Sequence, residues 1–165
     1  VAIAGIAMAA LWRSLMVRSR LEEVAVADGN CDLERFVEAQ NTMFEDVLDE
    51  LRAGRKTGHW MWFIFPQLEG LGRSPMARRY ALRSRREATA YLAHPVLGPR
   101  LRQCTEALLE VEGRSIEEIL GTPDDLKFRS SMTLFAHAEG ETRLFRRALE
   151  KYFGGAFDPL TLARL

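Results

Sequence analysis

The chain has 165 residues, 47% of them hydrophobic and 28% charged, and its 23 basic and 23 acidic side chains give a formal net charge of zero. That length fits one domain with a substantial core, and the composition is ordinary for a globular protein. Neutrality removes an overall electrostatic case for nucleic acid and leaves only a local patch to consider.

The first 12 residues are apolar, small or aromatic throughout. This stretch is too short to span a bilayer, so no transmembrane segment is expected. Arg13, Arg18 and Arg20 follow it, whereas a secretory signal carries its positive charge in front. Residues 1–30 are read as an N-terminal extension, helical over residues 1–27. That helix would pack on the domain or on another copy, making a homo-oligomer through residues 1–27 one expectation. Peripheral membrane contact is an alternative.

Gly29-Asn30 marks a break, and residues 31–165 read as a second unit built of helices and turns. Leu33, Phe36, Val37, Phe44, Val47, Leu48 and Leu51 recur at three- and four-residue intervals, which predicts one helix over 33–53. Asn30 or Asp32 would cap its start and Gly54 would end it. Next comes the densest aromatic stretch, HWMWFIFPQ at 59–67. So short an apolar run admits a buried strand, but its helical flanks favour a helix or irregular buried chain.

Ser74-Pro75 fits a helix start with proline at the first position. Ser84 to Glu87 offers a capping box for a short helix ending near His94-Pro95. Leu97, Leu101, Cys104, Leu108 and Val111 then form the apolar seam of a buried helix face. Ser115 to Glu118 offers a second capping box. A helix over 123–136 is expected to be capped by Thr122, with Pro123 at its first position and Asp124 and Asp125 complementing the positive end. A last long helix runs over 141–153 to Gly154-Gly155, and Asp158-Pro159 caps a final turn. No alternating run requires a sheet. The expected fold is all-α: a compact, orthogonal multi-helical single domain with an extra N-terminal helix.

Charge is unevenly spread. Residues 22–50 hold ten acidic side chains and one basic one, Arg35, while residues 73–102 hold eight arginines and one acid, Glu87. Internal pairing of the acidic helix with the basic segment is the plain reading. Arg78, Arg79, Arg83, Arg85 and Arg86 also allow phosphate contact, with Trp60 or Trp62 stacking a base. No nucleic-acid module or long basic tail supports this, so nucleic acid stands third among the expected partners. Cys31 and Cys104 have no metal or disulfide spacing, which suggests a reducing, cytoplasmic setting.

His59 could serve as an acid or base, or simply cap or hydrogen-bond beside two indoles. Trp60 and Trp62 could hold a flat ligand or fill the core; on a helical turn they would not share a face, whereas in an extended segment they would. Gln67 can both donate and accept. Gly70 to Ser74 lacks both the dinucleotide and the phosphate-loop patterns, so no cofactor is expected, although Arg73 beside helix-end amides could hold an anion. Lys127 and Ser130 are three apart on a helix, beside Ser131 and Thr133. A Lys–Ser pair can carry nucleophilic or anion-binding chemistry, yet no nucleophile elbow is present, and hydroxyls on a helix commonly bond the local backbone. The three histidines are too far apart to suggest a metal.

HWMWFIFPQ, together with DLERFVEAQ at 32–40, GRK at 54–56, GLGRS at 70–74, YLAHP at 91–95 and DLKFRSSMTLF at 125–135, resembles a bacterial family called domain of unknown function 1810. The likeness covers about residues 31–163. Some members bear an automatic label, calpastatin, that the physical features here do not justify. The resemblance implies an all-helical domain and supplies no catalytic residues. Tyrosine is common in the family near the position of Phe44, so a phenolic role is absent here.

Three functions follow as expectations, and whether the chain is an enzyme stays open. One is a small-molecule-binding or hydrolase-like domain centred on His59, Gln67 and Lys127, with Trp60, Trp62, Arg73, Ser130, Ser131 and Thr133 as further ligand contacts. In it His59 would act as acid or base, Gln67 would orient the substrate and Lys127 would stabilise an anion. The others are a noncatalytic helical protein-interaction domain and nucleic-acid binding through the arginine patch.

Overall fold

A single residue decides where the first helix breaks. Met43 leaves helical geometry at φ −140°, and the chain divides into α1 (Glu34–Asn41) and α2 (Phe44–Arg52) where one helix over 33–53 was expected. The apolar spacing from Val37 to Phe44, seven residues, stays in helical phase, so periodicity alone conceals the break. Redirecting the chain there lets α1 pack on the aromatic segment and α2 on a different helix, α6 (Leu97–Glu110). The computed structural model describes residues 32–140 and 142–165. The expected N-terminal helix and Cys31 lie outside them.

The aromatic segment forms one helical turn, α3 (Met61–Ile64), and two short helices follow, α4 (Pro75–Arg79) and α5 (Arg85–Ala93). After α6 come α7 (Ile116–Leu120), α8 (Asp124–Ala136), α9 (Arg143–Phe153) and α10 (Pro159–Leu162). No strand occurs among the described residues. The fold is all-α, its one extended pairing an isolated parallel bridge between Leu68 and Leu82.

Most of the expected caps form. Ser74 accepts from the Ala77 amide, Asp158 from the Thr161 amide, and the Ser115–Glu118 box closes in both directions. His94 is a cap, its Nδ1 accepting from the Val96 and Leu97 amides. The Ser84 box is half formed: Glu87 takes the Arg83 amide at 2.6 Å and faces Arg35 at 3.5 Å. Thus Arg35 and Glu87, each the minority charge of its segment, face each other. Thr122 does not cap α8. The Thr122–Pro123 bond is cis, Pro123 is the cap residue, and no side chain bonds the first turn from that position.

α8 is the central element. It is buried on all sides from Ser130 to Ala136, and α5, α7, α9 and α10 pack around it. Phe128 meets Phe65 edge-on at 4.9 Å between ring centres, and Phe135 lies near Tyr91 and Phe145. Gln40, itself buried, donates to the Phe63 carbonyl at 2.7 Å and to the Tyr91 hydroxyl at 3.0 Å. That pair of bonds fixes α3 against α1 and α5, and so sets where Trp62 points.

Candidate functional site

An open cleft of about 480 Å³ lies where α3, the 67–74 loop, the first half of α8 and the start of α10 meet. Its size falls within the range of small-molecule sites. Trp62, Leu71, Leu126 and Leu160 form its apolar wall, and Gln67, Arg73, Ser74, Lys127, Ser130 and Asp158 supply the polar groups.

Residues two apart on a helical turn point some 200° apart, so the paired indoles separate. Trp62 is half-buried and lines the cleft. Trp60 is 2% exposed and donates its indole N–H to Glu50 at 2.8 Å. The same carboxylate accepts the Thr57 amide at 2.8 Å, the Thr57 hydroxyl at 2.7 Å and the Gly58 amide at 3.0 Å. Burial alone would raise the Glu50 pKa, but these four donors outweigh it and hold the group at about 2. Glu50 thereby pins the loop that leads into α3.

Gln67 is placed through its backbone. Its carbonyl accepts from the Leu82 amide at 2.9 Å, and the next amide but one, of Glu69, returns to the Leu82 carbonyl. Its side-chain amide has no partner among the described residues. The exposed Arg73 guanidinium has none either, while the Arg73 carbonyl takes two bonds from Arg78.

Lys127 donates to Asp124 at 2.7 Å, and its ammonium stands 4.9 Å from the centre of the Trp62 ring. Lys56, 68 positions from Asp124 in sequence, reaches the other carboxylate oxygen at 2.8 Å. It also donates to the Gly58 carbonyl and stands over Trp60. Burial pushes the Asp124 pKa upward, but the hydrogen bonds and charges of Lys127 and Lys56 prevail and lower it.

The hydroxyls are already engaged or enclosed. Ser130 donates to the Leu126 carbonyl at 3.2 Å, the local bond expected of serine on a helix. Asp158 accepts both the amide and the hydroxyl of Thr161. Thr133 is buried; its hydroxyl accepts from the Asp158 amide at 2.9 Å and so supports the α10 side of the cleft. Ser131 is fully buried, and its hydroxyl has no partner among the described residues.

Five of the residues singled out in the sequence thus converge: Trp62, Gln67, Arg73, Lys127 and Ser130. Trp60, Ser131 and Thr133 are enclosed in the core. His59 is exposed and does not line the cleft. Sequence reasoning missed the ionic role of Lys56 and Asp124 and the walls made by Leu71, Leu126, Asp158 and Leu160. The Asp124–Lys127 spacing was a visible signal; the meeting of Lys56 with Asp124 had none.

A second hollow, about 450 Å³, lies beside Arg114, Asp125 and Lys151. Its cations are engaged: Arg114 donates to the Gly54 carbonyl, and Lys151 to the carbonyls of Leu109 and Val111. Among the described residues there is no cluster of three or more metal-ligating side chains, and no helix is long and apolar enough to cross a membrane. In the arginine-rich stretch, Arg78, Arg79, Arg83, Arg85 and Arg86 are exposed, with Arg79 over the Tyr80 ring. Trp60, being buried, offers no face for a base beside them.

The profile of a family described as protein of unknown function, DUF1810, matches residues 30–165. The chain belongs to that family. It is 59% identical to the conserved hypothetical protein Rv1873 from Mycobacterium tuberculosis, whose crystal structure it matches with a TM-score of 0.80 over 81% of this chain and 96% of that one. No curated protein matches the chain. For this DUF1810 member, family membership leaves the function unknown, and what the site does must be argued from its own groups.

Proposed function

We propose that the chain is a small-molecule-binding protein and that the cleft at Trp62, Gln67, Arg73 and Lys127 is its site. One observation carries this reading: the Gln67 amide and the Arg73 guanidinium have no partner among the described residues, yet both face a cleft walled by a half-buried indole. A loop held by backbone bonds while its side-chain donors stay uncommitted is preorganised for a ligand. Binding is favoured over hydrolysis. Ser130 donates its hydroxyl hydrogen in a bond to the Leu126 carbonyl, Lys127 is tied to Asp124, and His59 lies outside the cleft, so these three do not form a nucleophile–base pair there. A cytoplasmic setting suits this reading, since Cys104 is a buried free thiol.

The test is a metabolite-mixture screen on 15N-labelled protein, read at the Trp62 indole N–H and repeated on Gln67→Ala and His59→Ala. Hits should shift the Trp62 signal, weaken in Gln67→Ala and persist in His59→Ala. Hits that leave Trp62 unshifted and bind Gln67→Ala equally would overturn the reading. A second reading rests on Leu126 and Leu160, which are 55% and 60% exposed at the cleft. It makes the same face a docking site for a helical protein, and Leu160→Glu would then abolish a protein complex without altering small-molecule binding.

A further inference from the structure

We propose that the ligand is a planar heterocycle bearing a carboxylate or phosphate, with its anionic group held by Lys127 and Arg73. This rests on the cleft being a small-molecule site. The charge balance carries it. Lys56 and Lys127 share one carboxylate, Asp124, at 2.8 and 2.7 Å. The two ammonium groups share one bonded carboxylate, while the Glu50 carboxylate on the loop beside Lys56 is taken up by the Thr57, Gly58 and Trp60 donors. The three side chains are only 9%, 22% and 16% exposed, so water screens their charges weakly.

Arg73 adds a further positive charge, exposed and without a partner among the described residues. The acid that lines the cleft, Asp158, has an oxygen already taken by Thr161. An incoming anion therefore meets Lys127, which shares its carboxylate with Lys56, and Arg73, and charge-assisted bonds to them are the strong kind. The second hollow offers no such opening, because its cations are spent on backbone carbonyls.

Trp62 and Gln67 define the rest of the ligand. The Lys127 ammonium covers part of the indole, and the ring that lines the cleft favours a flat partner, stacked or edge-on. A primary amide offers one acceptor and two donors side by side, which suits a heterocycle edge carrying both kinds of group. The volume, about 480 Å³, accommodates one such ring system with its anionic group.

Matched probes test the proposal: AMP against adenosine, nicotinate against nicotinamide, and inorganic phosphate alone. Each is titrated into 15N-labelled protein, with the Trp62 indole signal assigned through its loss in Trp62→Phe. The anionic member of at least one pair should shift that signal and bind about tenfold or more tighter than its neutral partner. Arg73→Ala and Lys127→Met should each weaken it by about tenfold, with unfolding midpoints close to that of the wild type. Binding should also weaken with added salt.

Neutral members that bind as tightly as the anionic ones would overturn the anionic class and leave the small-molecule site standing. Inorganic phosphate binding as tightly as AMP, with the same Trp62 shift, would overturn the heterocycle. If no probe moves Trp62, the proposal falls; an empty metabolite-mixture screen would then remove the site as well, whereas a hit there would preserve it.

Discussion

Glu50 gives the sharpest test of how the site is held in place. Its carboxylate takes four donors from the loop before α3: two amides, one hydroxyl and the Trp60 indole. Glu50→Ala removes the acceptor that these groups share. The Thr57 and Gly58 amides can turn to water at a cost of roughly 1 kcal/mol each, but the buried indole N–H carries a desolvation penalty of about 1–3 kcal/mol. The expected loss is about 3–5 kcal/mol. Glu50→Gln separates charge from geometry. An amide oxygen can face the three N–H donors while the amide nitrogen faces the Thr57 hydroxyl, so only the ionic strengthening is lost, about 1 kcal/mol after allowance for solvent screening.

The pH dependence has a definite sign. The folded pKa is about 2 against an ordinary 4.5, so this stabilisation is complete above the unfolded value and disappears as pH falls toward the folded one. Urea unfolding from about pH 7 down to about pH 3 should therefore show the wild type losing its advantage over Glu50→Gln below the ordinary carboxylate range. Glu50→Ala unfolding at the wild-type urea concentration would refute the argument, as would a gap to Glu50→Gln that stays constant across that pH range.

Gly98→Ala should destabilise the fold by about 1–3 kcal/mol despite alanine's better helix propensity, because the added methyl would stand 2.1 Å from the Leu92 carbonyl oxygen; a thermal midpoint at or above wild type would contradict this. Ser131→Ala should raise the urea midpoint, by about 1 kcal/mol of stability, since it removes a buried hydroxyl that has no partner, and it should leave ligand binding unchanged. Asp124→Asn should cost about 2–3 kcal/mol by leaving two half-buried ammonium groups without their counter-ion, whereas Lys127→Met should cost under about 1 kcal/mol because Lys56 still pairs with Asp124. Equal losses in these two variants, measured by denaturant unfolding, would show that the charges are not shared in this way.

Much of the local structure was legible along the chain. Ser74, Ser115 and Asp158 cap the helices they precede, and Gly154 ends α9 at φ 59°. Capping uses groups two or three residues away, so adjacent residues suffice to reveal it. The seam from Leu97 to Leu108 likewise identified the buried face of α6. The break at Met43 escaped because apolar spacing reports which face is buried and is silent on whether the helix bends. The Thr122 cap fails because the helix starts one residue later, with Pro123 in the cap position, and helix ends are the feature that neighbouring residues locate least sharply.

By itself the sequence determined the helical class, most helix ends and the family, for these rest on periodicity, neighbouring residues and motifs that the chain carries in linear order. It also brought forward Trp62, Gln67, Arg73, Lys127 and Ser130. Only the tertiary structure decided that these five share a cleft while His59 stays outside it. Only the tertiary structure set Lys56 on Asp124, so that two ammonium groups share one carboxylate. Charge balance at a site is a sum over groups brought within a few ångströms of one another, and that proximity is made by packing α3, α8 and the intervening loops, not by distance along the chain.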